Sequence, residues 1–153
     1  MPGFKVLATN HTSFTVSDLD RTLAFYRDAL GFEVTSKAPR DRELIAQVTG
    51  VADAEVMIAY VQGPGHRLEL IEYHGPEGRG AVRPRPCDVG FAHVAFDVDD
   101  LDAALVAAEA HDVRPIGPPA IIDQGPNAGG RVVYLRDPDG ITVELVEPPA
   151  PRD

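Results

Sequence analysis

Residues 8–16 read ATNHTSFTV, an alternation that sets Phe14 and Val16 on one side of an extended strand and His11, Ser13 and Thr15 on the other. FAHVAFDV at 91–98 repeats it, with Val94, Phe96 and Val98 opposite His93. Both histidines therefore point away from the face that carries the large apolar residues. A helical period follows each strand. SDLDRTLAFYRDALG (17–31) places Leu19, Leu23, Tyr26 and Leu30 at three-to-four spacing behind a Ser/Asp start, with Gly31 at the C-terminal cap. DDLDAALVAAEAHDV (99–113) does the same with Leu101, Ala104, Leu105 and Ala108. Three further strands are expected in each half: GFEVTSK, AEVMIAYV and RLELIEY, then RPIGP, GRVVYLR and ITVELVE. QGPGH (62–66) and DPDG (137–140) supply the hairpin turns.

The two halves are one unit written twice. HTSFTVSDLD (11–20) and HVAFDVDDLD (93–102) agree at six of ten positions, where unrelated decapeptides share roughly one. RLELIEY (67–73) answers to TVELVEP (142–148), both with Glu-Leu-Ile/Val-Glu. The Gly- and Pro-rich segment HGPEGRGAVRPRPCDVG (74–90) reads as the connector. The expected organisation is a single domain over 1–150, with a first βαβββ module at about 6–73, the linker at 74–90 and a second module at about 91–148. Leu68 and Leu70, like Val143 and Leu145, can pack on helices while Glu69 and Glu144 face the other side of the sheet.

Composition narrows the partners. A chain of 153 residues can bury most of its unfolded surface without disulfide or metal support. Twenty-four acidic against 14 basic residues give a formal charge of −10, which argues against nucleic-acid or anionic-membrane binding. MPGFKVLATNH has no apolar signal region and no apolar run approaches membrane-spanning length, so a soluble cytoplasmic protein is expected. Cys87, in RPRPCDVG, has no plausible base beside it and is read as a surface thiol.

The strand faces gather chemistry. A duplicated unit whose first strand presents a His and whose last presents a Glu toward a shared face would assemble His11, Glu69, His93 and Glu144. Two imidazoles and two carboxylates suit a divalent first-row metal: Zn, Ni, Co, Mn or Fe(II). Glu72 and Glu147 fall on the opposite strand face and are expected to be solvated. His66 lies in a turn, His74 just past a strand, and His111 at a helix end; only His74 is kept as a possible pocket residue. Arg67, Tyr73 and Arg131 are candidate pocket residues, and QGPNAGGR (124–131) is either an anion-binding mobile loop or an ordinary connection.

The paired H-x-x-F-x-V-x-D-L-D segments, YRDALGFEV, LRDPDG and the closing VELVE resemble the vicinal oxygen chelate superfamily over about residues 6–148. That family includes glyoxalase I, methylmalonyl-CoA epimerase, extradiol dioxygenases, and fosfomycin- and bleomycin-resistance proteins. The resemblance implies an α+β fold in which two tandem βαβββ modules form one cupped mixed sheet with helices on the outer face. It selects His11, Glu69, His93 and Glu144 as metal ligands. A fourth protein ligand at Glu69 is similar to glyoxalase I and the epimerases rather than to dioxygenases, whose sites resemble two His and one Glu. Bleomycin-binding members lack these ligands. ELIEYH departs from glyoxalase I, which usually has an Asn soon after this Glu, and HGPEGRG departs from the epimerase pattern, although GPNAGGRVVYLRDPDGITVELVE is similar to its end.

The expected function is metal-dependent proton-transfer isomerisation, epimerisation or lyase chemistry on a small vicinal-oxygen or thioester substrate through a stabilised enediolate or enolate. Glu144 or Glu69 would be the base and the other a ligand. The alternatives are an Fe(II) ring-cleaving dioxygenase and a non-catalytic small-molecule-binding or resistance protein. Family resemblance further implies a homodimer.

Overall fold

A computed structural model describes residues 3–150 and divides into two compact units. One is built from the chain up to Leu23 and from Phe32–Glu77, the other from Ala24–Gly31 and from Gly78 onward. The division falls between Glu77 and Gly78, within the Gly/Pro-rich segment 74–90, except that the end of the first helix belongs with the second unit.

In the first unit, β1 (Thr12–Val16), β2 (Glu33–Pro39), β3 (Glu55–Gly63) and β4 (His66–Gly75) form a sheet of order β1-β4-β3-β2. β1 runs parallel to β4 and the other pairs are antiparallel. Alternation along the central strands builds both faces. Ala59, Val61, Leu68 and Leu70 are fully buried on one side. That side also carries Glu72, whose carboxylate accepts from the Leu19 N–H at the start of α1 (Leu19–Ala24) at 2.7 Å.

On the opposite face, Val56 and Ile58, flanked by Ile71 and Tyr73, pack against α2 (Arg42–Thr49) through Ile45. The sequence pattern assigns no element to α2, which is only two turns long. It is nevertheless well signalled at its ends: the Asp41 side chain accepts from the Leu44 N–H, and Gly50 takes a left-handed φ of 73° that closes the helix. Tyr73, expected in a pocket, instead belongs to this apolar cluster.

The second unit contains β5 (His93–Asp97), α3 (Leu101–Glu109), β6 (Arg114–Pro115), β7 (Ala120–Ile121), β8 (Arg131–Arg136) and β9 (Thr142–Glu147). Its order is β5-β9-β8-β6, with β7 also on β8, and β5 is parallel to β9. Of the expected strand RPIGP only Arg114–Pro115 pairs with β8, and a second dipeptide strand, Ala120–Ile121, lies beyond it; Pro115, Pro118 and Pro119 lack the N–H that a longer ladder needs. The α-helical turns of α1 continue as a π-helical turn, Phe25–Ala29, in which the Leu30 N–H reaches back to the Phe25 carbonyl at 3.3 Å. This turn packs with α3.

α3 starts as α1 does. Asp100 accepts from the Ala103 N–H at 2.9 Å as Asp18 does from Arg21, and Glu147 accepts from the Leu101 N–H at 2.7 Å as Glu72 does from Leu19. The repeated D-L-D and E-L-I/V-E motifs are thus two ends of one device: the second Glu of each strand caps a helix start. Glu72 and Glu147 are therefore not solvated bystanders, because free N–H groups in a first helical turn favour a carboxylate. Removing the Asp100 cap (Asp100→Ala) is expected to lower stability by about 0.5–2 kcal/mol, measured by urea denaturation.

Arg131, a candidate pocket residue from sequence, is likewise structural. Its guanidinium donates to both Glu147 oxygens at 3.0 and 2.9 Å and to Asp102 at 3.1 Å. These hydrogen bonds, with that of Leu101, hold the Glu147 carboxyl at about 2, below its ordinary 4.5. Because the folded-state value is depressed, the associated stability is present above pH 4.5 and is lost as pH falls toward about 2. Urea midpoints should drop across that window, and less steeply in Arg131→Ala.

Three amides of the Gly-rich loop are committed to backbone hydrogen bonds. The N–H groups of Ala128, Gly129 and Gly130 donate to the carbonyls of Gly125, Ile122 and Asn127, leaving none of these three for an anion. Gly130 is required by close approach: a Cβ there would lie 2.4 Å from the Glu147 carbonyl oxygen.

Candidate metal centre

Parallel pairing of the first and last strand of each unit decides where the candidate ligands stand. Ser13 lies beside Glu69 and Ala95 beside Glu144, so His11 and His93 each sit two residues upstream on the same face as the glutamate. The side chains meet accordingly. His11 Nε2 is 3.6 Å from Glu69 Oε1, and His93 Nε2 is 2.8 Å from Glu144 Oε2. All four are partly accessible, with side-chain exposures of 30% and 31% for the histidines and 13% and 20% for the glutamates. The hairpin register adds a tyrosine on the far side of each glutamate: Tyr60 faces Glu69 and Tyr134 faces Glu144.

The structure thus brings the four predicted residues together as two pairs, one in each unit. Among the described residues, no group of three or more His, Cys, Asp or Glu side chains converges to hold a metal. Each pair offers one imidazole nitrogen and one carboxylate oxygen, half of the mixed N/O set that first-row divalent ions take.

The surroundings of the pairs differ. Glu69 accepts from Ser13 Oγ at 2.9 Å through Oε1 and from the Tyr60 hydroxyl through Oε2. Asn10 Oδ1 lies 2.6 Å from His11 Nδ1, which fits an Nδ1–H donor and leaves Nε2 as the ring atom turned to Glu69. Arg67 donates to the same Asn10 oxygen at 3.3 Å and stacks 5.3 Å above the Tyr60 ring, so this candidate does stand beside the site. In the second unit, Ala92 and Ala95 occupy the positions of Asn10 and Ser13. There the Tyr134 ring lies 4.8 Å from that of His93 and its hydroxyl 3.4 Å from Nε2. Both phenols are shifted above their usual range: Tyr60 chiefly by its hydrogen bond to Glu69, Tyr134 by burial and then by the Glu144 charge. They remain hydroxyl donors at neutral pH.

Other histidines serve the scaffold. His66 Nε2 is 2.8 Å from Thr12 Oγ1, tying the hairpin turn to β1, and His74 pairs with Glu72 at 2.9 Å. His111 follows α3, its backbone N–H bonded to the Ala108 carbonyl, and Cys87 is exposed. Sequence reasoning missed Tyr60, Tyr134, Ser13 and Asn10 as site residues. The two tyrosines do occupy matching places in the repeat, ahead of the hairpins that lead to the Glu-bearing strands.

Two mixed sheets, each presenting an imidazole and a carboxylate from its parallel strand pair, define a duplicated α+β protein with a repeated His–Glu pair. The chain belongs to the Glyoxalase/Bleomycin resistance protein/Dioxygenase superfamily, whose profile matches residues 8–145. It is 36% identical to a 2-epi-5-epi-valiolone epimerase from Actinomyces sp over 155 residues, covering 98% of this chain and 83% of the relative. A lactoylglutathione lyase from Haemophilus influenzae is 31% identical over 144 residues, covering 90% of each. A glyoxalase family protein from Bacillus cereus superposes with a TM-score of 0.84 at 28% identity, covering 98% of this chain and 99% of the other. No helix among the described residues is long and apolar enough to cross a membrane.

Proposed function

We propose that the His11–Glu69 and His93–Glu144 pairs are the halves of one four-ligand site for a divalent cation, Zn, Ni, Co, Mn or Fe(II). The protein would act in the cytoplasm, as a homodimer, as an isomerase, epimerase or lyase on a small substrate. That substrate carries a hydrogen on carbon next to a carbonyl or thioester. The observation that supports this most is the repetition itself: the same imidazole–carboxylate contact at the same strand positions in both units. The donor set is the same whether one chain or two copies contribute the pairs. A bound divalent cation supplies Lewis-acid polarisation of the substrate carbonyl and stabilises the negative charge that builds up as the proton leaves.

The protein's own task is then proton movement. Glu144 is the base, since among the described residues its side-chain hydrogen-bond partner is His93, whereas both Glu69 oxygens already accept hydroxyl hydrogen bonds. A Glu144 oxygen takes the proton from carbon and returns it to the same or the adjacent carbon, so the enzyme ends each cycle unchanged. The Tyr134 ring lies 4.8 Å from the His93 imidazole, tilted by 40°. The names of the relatives, an epimerase and a lactoylglutathione lyase, agree with this class of reaction.

The test is hydrogen exchange. Metal-loaded protein is incubated in D₂O with a ketocyclitol, a hemithioacetal and a 2-methyl-branched acyl thioester, and deuterium at the carbon next to the carbonyl is followed by NMR. Exchange of at least one class, suppressed in Glu144→Gln, is expected. Product formation with no dependence on Glu144 would contradict the assignment.

A further inference from the structure

The repeat makes the two carboxylates equivalent in strand position but not in what surrounds them. Ser13 Oγ and the Tyr60 hydroxyl each donate to a different oxygen of Glu69. Asn10 and Arg67 extend the same network to His11. At the matching places of the second unit stand Ala92 and Ala95, which have no polar side-chain atoms, and the Tyr134 hydroxyl lies 3.4 Å from His93 Nε2. A carboxylate held through both oxygens has little rotational freedom about its last torsion. Glu144, whose side-chain hydrogen-bond partner among the described residues is the His93 imidazole, keeps more of that freedom.

We propose that Asn10, Ser13 and Tyr60 are positioning residues that fix the His11–Glu69 pair in a ligand-ready geometry, so that one half of the site is rigid and the other half, with Glu144, stays free to move. Asn10 sets the His11 tautomer by accepting from Nδ1–H. Ser13 and Tyr60 orient Glu69 so that a lone pair of each oxygen remains for a cation. The inference rests on the metal-site reading above. It adds to that reading which residues supply the preorganisation, and that they come from the first module alone. Outer partners of this kind typically change metal affinity by about 10–100-fold when removed.

The test compares metal binding rather than turnover. Wild type, Asn10→Ala, Ser13→Ala, Tyr60→Phe and the Ser13→Ala/Tyr60→Phe double variant are titrated with Co(II) and Ni(II) against a chromophoric chelator, and the Co(II) visible spectrum is recorded. The single variants are expected to bind more weakly, and the double variant about 10–100-fold more weakly, with a changed Co(II) band. Ser13→Thr, which keeps the hydroxyl, should restore both. Thermal midpoints of the metal-free proteins should stay together, which separates positioning from a scaffold role. Ser13 is exposed, so Ser13→Ala tests the idea even if Tyr60→Phe fails to fold. Equal affinity and an unchanged Co(II) spectrum in folded variants would overturn the clamp while leaving the metal site standing. Absence of binding in the wild type would overturn the metal site itself, and the clamp with it. The converse variant, Ala95→Ser, places a hydroxyl beside Glu144 and should retain metal while slowing the hydrogen exchange.

Discussion

Glu144→Ala is expected to reduce turnover by about 10²–10⁴-fold, the range that a positioned general base contributes. The same loss is expected for Glu144→Gln, whose amide keeps the shape of the side chain but cannot take up a proton. The reason lies in the strand geometry. Glu144 stands on β9, beside Ala95 and diagonal to His93, with its carboxylate partly exposed and its hydrogen bonding directed to a single imidazole. It can therefore turn toward a substrate carbon without breaking a network. Glu69→Ala should behave differently, because Glu69 is held by Ser13 and Tyr60 and is the proposed ligand: metal affinity is expected to fall first, and activity to return in part at high metal concentration. Steady-state rates at saturating and at limiting metal separate the two. Equal activity of wild type, Glu144→Ala and Glu69→Ala would remove proton transfer by either carboxylate.

The second large effect is on stability. Leu145 is fully buried on the face of β9 opposite Glu144, paired in register with Phe96 on β5 and Val133 on β8. Leu145→Ala deletes buried methyl groups and leaves a cavity in close-packed surroundings, so a loss of about 2–5 kcal/mol is expected. This is a large share of the roughly 5–15 kcal/mol that holds a typical domain folded. Urea denaturation should show it as a lower midpoint at unchanged slope. Val106→Ala, at a position 73% exposed on α3, is the control and should shift stability by no more than about 0.5 kcal/mol. Because Leu145 and Glu144 are neighbours with opposite orientation, the same substitution tests whether strand alternation, rather than the glutamate alone, positions the carboxylate.

Alternation and repetition were the legible parts of the chain. The period of two around His11 and His93, and around Glu69 and Glu144, assigned each side chain to a face, and parallel pairing of β1 with β4 and β5 with β9 then brought each His to its Glu. Gly31 follows the π-helical turn that closes the first helix, with a left-handed φ of 71°. What escaped reading depends on contacts between segments distant in sequence. Glu72 and Glu147 looked like surface residues because nothing local shows that a helix start 46 or 53 residues away needs an acceptor. Arg131 looked like a pocket cation for the same reason, its partners Asp102 and Glu147 lying 29 and 16 residues away. Tyr60 and Tyr134 became site residues only once the hairpin registers placed them opposite the glutamates. α2 was missed because a two-turn helix presents too few repeats of its period to stand out, although Asp41 and Gly50 mark its ends.

The most direct measurement is elemental analysis of untagged protein purified without chelator, for Zn, Ni, Co, Mn and Fe, on wild type and His93→Ala. Two His–Glu pairs serving one site predict about one divalent ion per chain in the wild type and its loss in His93→Ala. Wild-type protein that stays metal-free after reconstitution, or a His93→Ala variant that keeps its full complement, would contradict the shared metal site and with it the chemistry proposed for Glu144.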